Sequence, residues 1–500
     1  MRTGPGLDRR GFLRLAGGLG LTLTATGCGG REAAGPLGSP GPTGTPVGTS
    51  GTPTVLATPT PAADLLRPGT AAGTLAAAPM RVDLAGRVVD TWGYNGTLPG
   101  PEIRVRQGEV VRVRLDNRLT DPTTIHWHGI ELPNPMDGVP DVTQPAVDPG
   151  GGFSYEFTVP DAGSFMYHAH VGHQLDLGLY GPLIVEEKDS PGGWDREYTL
   201  MLDDWRDGLL APGDATVPTE AAAPADDTGH GDATENSAPM GARIYPLFLV
   251  NGRPPADPAS VEVRSGERVR LRVMNIGADT GFRFAIAGHR LTVTHADGMP
   301  VTPVTVDTLR LGMGERYDVV VDAAEPGAWQ IAAVPEGKHG LGRAVLRYAD
   351  AAGAAAPAED ARPAELEGRL LTYADLRYSG ERDFGGSGEP DRTHDLVLET
   401  NRINGKRFQD ADPLPVAEGE LVRVTMRNDS ELWHPMHLHG HSFRVLTDAG
   451  PGAVKDTLAV AAQGGSAAFE FIARNPGNWL FHCHNHYHMD KGMARLVTYT

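Results

Sequence analysis

The chain reads as all-β, built from three β-sandwich domains of Greek-key type, and three observations point there. A short unit is written three times. Turn-forming residues are abundant, with Gly 65 and Pro 41 among 500 residues. No long amphipathic helical pattern interrupts any of the three units. The unit occupies Val105–Asn117 (VRQGEVVRVRLDN), Val263–Asn275 (VRSGERVRLRVMN) and Val416–Asn428 (VAEGELVRVTMRN). Each copy is a short strand, a Gly-Glu turn and a strand of alternating apolar and polar residues, so one face is buried. The Asn-Gly pairs Asn95-Gly96, Asn251-Gly252 and Asn404-Gly405 precede them. The copies lie roughly 155 residues apart, which is domain spacing. A later block also recurs, at Gly163–His170 (GSFMYHAH), Gly327–Val334 (GAWQIAAV) and Gly477–His484 (GNWLFHCH).

In chain order, residues 1–28 read as an export signal. Arg9-Arg10 stands before an apolar stretch, Leu13 to Ala25, that is too short to span a bilayer comfortably. That pattern resembles a twin-arginine signal, which is read by an exporter of folded proteins. Cys28 follows Ala25-Thr26-Gly27 and resembles a lipoprotein cleavage site, so any membrane attachment is expected through a lipid on Cys28. Residues 29–78 are rich in Gly, Pro and Thr and read as a flexible tether. The sandwiches are placed at 79–190, 195–350 and 390–500, with a linker at 351–389 and an acidic loop at 211–241. The formal charge of −19 argues against nucleic-acid binding. The only cysteines, Cys28 and Cys483, sit at opposite ends, which leaves no disulfide framework.

The repeats separate chemistry from architecture. Counting on from each terminal Asn, the first unit has His126 and His128, the second Phe284 and Ile286, the third His437 and His439. In the late block the pairs are His168/His170, Ala332/Val334 and His482/His484. The middle domain shows that the fold needs only apolar filling at these positions, so eight histidines in the outer domains serve something else. In a strand, residues i and i+2 share a face, so each pair aims two imidazoles into one space. Imidazole suits Cu, Zn and Fe, and eight donors exceed the needs of one ion. The third unit adds His434, Cys483, His488 and Met493. One thiolate, two imidazoles and a distant thioether are the ligands of a blue-copper electron-transfer centre. Zinc has no need of the methionine. Thr123 and Ala169 occupy the His434 and Cys483 positions in the first unit, which therefore lacks this centre.

Four motifs result: His126-Trp-His-Gly129, His168-Ala-His170, His434-Pro-Met-His-Leu-His-Gly440, and the stretch from His482 to Met493 (HCHNHYHMDKGM). Together they closely resemble the copper-binding pattern of the multicopper oxidases, in the three-domain laccase-like group, over roughly residues 80–500. The resemblance implies three cupredoxin-like domains and four copper ions. It assigns type 1 copper to His434, Cys483, His488 and Met493, and type 2 copper to His126 and His437. One type 3 copper falls to His128, His168 and His484, the other to His170, His439 and His482. It also implies that single electrons from a reductant pass through Cys483 to O2, which leaves as water.

Three acids are candidates for moving protons or orienting ligands. Asp137, in Met136-Asp137-Gly138, resembles the family's acid near the cluster. Asp456, in Lys455-Asp456-Thr457, resembles an acid that orients the exposed type 1 histidine. Many relatives have Glu directly after the last histidine of the fourth motif; here Met489 stands there, and Asp490 is the substitute. His173, His441 and His486 are expected to be supporting or surface residues, and His230 solvated. A blue-copper carrier or storage protein has no use for the eight-histidine set, and the intact Cys483 excludes the ligand-less export-linked relatives. Nitrite reductases lack the type 3 pair. Phenols, aromatic amines and Cu+ remain as reductants. The 13 methionines are scattered, with Met489 an isolated soft contact, which favours the aromatic donors.

Overall fold

A computed structural model describes residues 56–57, 72–188, 192–206, 240–241, 243, 245–385 and 388–500. The signal, most of the tether, Cys28, His230 and nearly all of the acidic loop lie outside these residues. Strands dominate, and they form six sheets that pair into three sandwiches. The first sandwich sets a sheet built on Ala72–Leu84, Val110–Asn117 and Gly152–Thr158 against Ile103–Arg106, Tyr180–Glu186, Gly163–His168 and His126–His128. The second joins a six-stranded sheet containing Arg196–Trp205, Arg268–Asn275 and Arg316–Asp322 to a five-stranded one containing Phe282–Ile286 and Ala328–Pro335. The third repeats that plan with Leu421–Asn428 in one sheet and His434–Leu438 beside Asn478–Cys483 in the other. Among the described residues, no helix is long and apolar enough to cross a membrane.

Each repeated residue makes the same bonds in all three domains. Asn95, Asn251 and Asn404 adopt positive φ in their turns. Their Oδ1 atoms accept from the backbone N–H of Ala76, Met201 and Val397 at 2.7, 2.7 and 2.6 Å. The turn glutamates Glu109, Glu267 and Glu420 accept from the N–H three residues back. The terminal Asn of each repeat ties its strand to the loop that follows. Asn117 donates to Asp121 O, Asn275 to Thr280 O and Asn428 to Leu432 O. That loop leads into the strand where the first and third domains carry His-x-His, so the repeat fixes where those histidines fall.

The alternating strands bury one face as expected: Val111, Val113 and Leu115 are inside while Arg112 and Arg114 are out. The apolar cores of the first and third sandwiches run together into one cluster, through Trp127 and Phe165 on one side and Phe481 and Trp479 on the other. Residues 351–385 connect the second and third sandwiches as a strap held against both domains. Leu366, Leu371 and Leu376 are buried. Leu371 N donates to Thr308 O, and Tyr373 Oη accepts from Ala459 N at 3.0 Å.

Candidate metal centre

Equivalent strand pairs bring the histidines together. In the first domain His126 lies opposite His168; in the third, His437 lies opposite His482 and Met436 opposite Cys483. In the second domain the pairing is offset by one residue, with Phe284 opposite Ala333 and Ala285 opposite Ala332, and all four are buried core residues. Histidines of the two sheets meet one another, His126 and His128 against His437, and all eight histidines of the His-x-His pairs are buried.

Ring nitrogens show what the space is for. A carbonyl can only accept, so a ring nitrogen bonded to one carries the proton and its opposite nitrogen presents a lone pair. His126 Nδ1 donates to Asp137 O and His437 Nδ1 to Asp456 O, both at 2.9 Å. His168 Nδ1 donates to Ala169 O at 3.0 Å and His482 Nδ1 to Cys483 O at 2.9 Å. His439 Nδ1 donates to Asp137 Oδ2 at 3.0 Å. The freed Nε2 atoms then face one another: His126 to His437 at 3.5 Å and His439 to His482 at 3.0 Å. His128 is reversed, with Nε2 on Asp456 Oδ1 at 3.1 Å and Nδ1 unpartnered. Neither nitrogen of His170 or His484 has a partner.

Burial first, and repulsion from neighbouring imidazoles second, hold His128, His168, His170, His439, His482 and His484 far below the ordinary imidazole value. These rings are therefore neutral near pH 7. Buried lone pairs aimed at lone pairs are unfavourable unless a cation lies between them. The donor set thus fits metal ions. His126 and His437 hold one place, and His170, His439 and His482 form a second tight group. His128, His168 and His484 surround a third, with ring centroids 4.9 to 5.9 Å apart.

A separate group lies on the far side of the Asn478–Cys483 strand. Cys483 Sγ is 3.6 Å from Nδ1 of both His434 and His488. Ser430 Oγ holds His434 Nε2 at 2.7 Å, which turns Nδ1 toward the sulfur. Cys483 N donates to Met493 O at 3.1 Å and Met493 N to His488 O at 3.0 Å, so the methionine closes the same loop. Burial pushes the Cys483 thiol up, so only a bound cation makes it a thiolate here. In the first domain the equivalent place is filled by a hydrogen bond from Thr123 to Gln174 at 2.6 Å.

The three candidate acids fare differently. Asp137 is buried between the two sheets and touches both His439 Nδ1, at 3.0 Å, and His126 Nδ1, at 3.2 Å. Asp456, expected to orient the exposed histidine of the Cys483 site, does not stand there. Its carboxylate accepts from His128 and is gripped by Arg316, Nη1 on Oδ1 at 2.6 Å and Nη2 on Oδ2 at 2.7 Å. The strand Thr457–Val460 runs antiparallel to the His434–Leu438 strand and pairs Thr457 with His437, which places Asp456 at the cluster end. Burial raises the Asp456 carboxyl, but the Arg316 guanidinium and the histidine bonds outweigh it and hold it below the usual range. Asp490 also departs from expectation. It sits on the short helix His486–Asp490, 26 % exposed, 3.7 Å from His173 Nε2 and turned away from the eight histidines.

Sequence reasoning missed two contributors, Arg316 and Gly314, and left His486 as either a supporting or a surface residue. His486 is buried against His168 and His484, with ring centroids at 6.0 and 5.7 Å. Its spacing, two residues beyond His484, was the available clue. Arg316 and Gly314 come from the second domain, which has no metal motif of its own. Gly314 has φ +88°, and a Cβ there would lie 3.0 Å from atoms of both His128 and His484. The bare glycine lets this loop close over the histidines. Gly314→Ala is expected to cost about 1–2 kcal/mol in backbone strain and to lower metal occupancy at the histidine cluster while leaving the Cys483 site filled. Metal analysis with visible and electron paramagnetic resonance spectra would check this; full occupancy would refute it.

A thiolate–imidazole site joined through one cysteine to a neutral polyimidazole cluster, both on Greek-key sandwiches, defines a copper-dependent oxidoreductase of cupredoxin architecture. Residues 77–190, 214–351 and 386–500 each match a family model described as multicopper oxidase. The chain belongs to the multicopper oxidase family. Multicopper oxidase MmcO of Mycobacterium tuberculosis is 41% identical over 466 residues, covering 88% of this chain and 89% of that protein. Copper resistance protein A homolog of Pseudomonas syringae pv. tomato is 28% identical over 539 residues, covering 83% and 90%. The crystal structure of a laccase from Botrytis aclada aligns with a TM-score of 0.69 at 25% identity, covering 85% of this chain and 87% of that chain.

Proposed function

We propose that this chain is a laccase-like oxidase that takes single electrons from phenols and aromatic amines at the Cys483 site and reduces O2 to two waters at the histidine cluster. Four copper ions would be held: type 1 by His434, Cys483, His488 and Met493; type 2 by His126 and His437; type 3 by His128, His168 and His484 and by His170, His439 and His482. Bound there, copper supplies reversible one-electron chemistry and a place for O2. The observation that carries the reading is Cys483 itself. It lies between His434 and His488 in space and between His482 and His484 in sequence, so a few covalent bonds connect the two sites.

The chain's own groups then have definite tasks. Burial excludes water from both sites. Asp137 holds the Nδ1 protons of His439 and His126, and is the one candidate acid that can also exchange a proton at the cluster. Asp137→Asn should leave reduction of the Cys483 site intact and slow reoxidation by O2 about 10–100-fold. Stopped-flow reoxidation at an unchanged rate would leave Asp137 with a purely structural role.

A second reading is a cuprous-ion oxidase. The similarity to a copper resistance protein favours it, as does Met489, buried immediately after His488. Oxygen uptake with a phenol, an aromatic diamine and Cu+ in parallel separates the two. The laccase-like reading expects uptake with the aromatic donors without added copper; uptake with Cu+ alone would replace it. Because Asp456 lies at the cluster, Asp456→Asn should slow all three donors alike.

The proposed setting is outside the cytoplasm, after twin-arginine export, with Cys28 as the lipid anchor. Arg9→Lys with Arg10→Lys should retain the protein in the cytoplasm, and normal export of that variant would refute the route. Cys28→Ala should release the protein from membrane fractions.

A further inference from the structure

The loop between Cys483 and His488 is gripped from outside its own domain. Asn485 lies at its centre and is fully buried. Its Oδ1 accepts from the N–H of Tyr487 and His488, at 3.1 and 3.3 Å, and so caps the short helix that carries His488. Its Nδ2 donates to Asp279 Oδ1, in the second domain, at 2.7 Å. The next residue repeats the link, with His486 N donating to Ala278 O at 2.9 Å.

Asp279 is itself fixed. Asp204 accepts from the N–H groups of Ala278 and Asp279 at 2.8 and 3.0 Å. Asp279 Oδ2 accepts from Arg243 N at 2.8 Å and from Lys338 Nζ at 3.0 Å. Lys338 also reaches Asp279 O and Thr280 Oγ1, at 2.8 and 2.7 Å. A buried carboxylate and its ammonium partner therefore stand behind the one side chain that orients the helix bearing His488.

We infer that Asp279 and Lys338 are positioning residues of the second domain that set the redox potential of the Cys483 site through Asn485. This rests on the reading of that site as type 1 copper. The physical argument has two parts. The helix that carries His488 keeps its place only while Asp279 holds the Asn485 side chain that caps it. The Asp279 charge is buried one hydrogen bond from Asn485, two residues beyond Cys483, so it also acts on the site through low-dielectric protein. A negative charge near the site favours the oxidised metal, and a positive one favours the reduced metal. The domain without copper motifs would thus control how readily the enzyme accepts electrons.

The test is a redox-poised titration of the blue band in the copper-loaded protein, with copper content and thermal midpoint measured alongside. Asp279→Asn removes the anion and should shift the reduced-to-oxidised ratio at fixed potential several-fold toward reduced. Lys338→Met uncovers the anion and should shift it several-fold the other way. The double variant should return toward the unaltered protein. A clamp that only stiffens the loop would move both single variants in one direction, and that outcome, or no shift at full copper occupancy, overturns the proposal. If Asp279→Asn does not fold, Lys338→Met decides alone: a shift toward oxidised supports the inference, and any other result overturns it. Absence of a blue band in the unaltered protein would instead overturn the type 1 reading.

Discussion

Cys483→Ser is expected to abolish the intense visible absorption and substrate oxidation together, while copper at the eight-histidine cluster stays bound. The colour requires a metal–thiolate bond, and a buried hydroxyl offers no comparable anion. Burial already pushes the thiol up, and a serine hydroxyl starts far higher and lacks the soft sulfur that suits copper. None of the cluster nitrogens is altered, so copper analysis should show loss from the Cys483 site only. Because the same residue links the two sites through the backbone, electron delivery from any donor should fall to background. Persistent blue absorption, or turnover with an inorganic one-electron donor, would refute the assignment.

The largest stability effect is expected at Arg316, in the domain without metal motifs. Arg316 and Asp456 are both almost completely buried and joined by two hydrogen bonds. Arg316→Met leaves the Asp456 charge buried without its guanidinium, a change worth about 3–5 kcal/mol. The pH dependence has a definite sign. The Asp456 carboxyl is held below its ordinary value in the folded protein, so its contribution is present above the usual carboxylate range and is lost as pH falls through the folded value. In the variant, burial raises the same carboxyl and protonation relieves it. The deficit relative to the unaltered protein should be greatest at pH 7 and shrink toward pH 4. Thermal unfolding of the copper-free proteins at both pH values measures this, and an equal deficit at both would show that charge is not the cause.

The sequence made the architecture and the donor set legible because each is encoded locally and written more than once. The terminal Asn of each repeat makes the same bond to the loop that follows, so counting on from Asn117 and Asn428 lands on matching histidines, and from Asn275 within one residue of the same sheet position. Phe284 could then report what His126 and His437 replace. Asp456 was misplaced because its partners are distant in sequence: Arg316 is 140 residues away and His128 is 328. No local pattern announces such a meeting. Asp490 follows the final motif in sequence, but the helix turns it to the surface. The segment 351–389 has the composition of a connector. Its anchors Leu366, Leu371, Tyr373 and Leu376 follow neither a strand nor a helix period, so nothing in the pattern foretold a strap packed on two domains.

The cluster also constrains the order of events in the life of the chain. His126 meets His437 across 311 residues of sequence, and His128 meets Thr457 across 329. The first domain's half of the donor set is made well before the third domain's half and stays incomplete until that domain emerges. Bringing such distant segments together costs chain entropy that grows only slowly with length, and the intervening domain reduces it further by folding as a unit. A nascent chain therefore cannot assemble the full metal centre before its third domain is made. Copper capture at the cluster becomes a report that all three domains are present and docked.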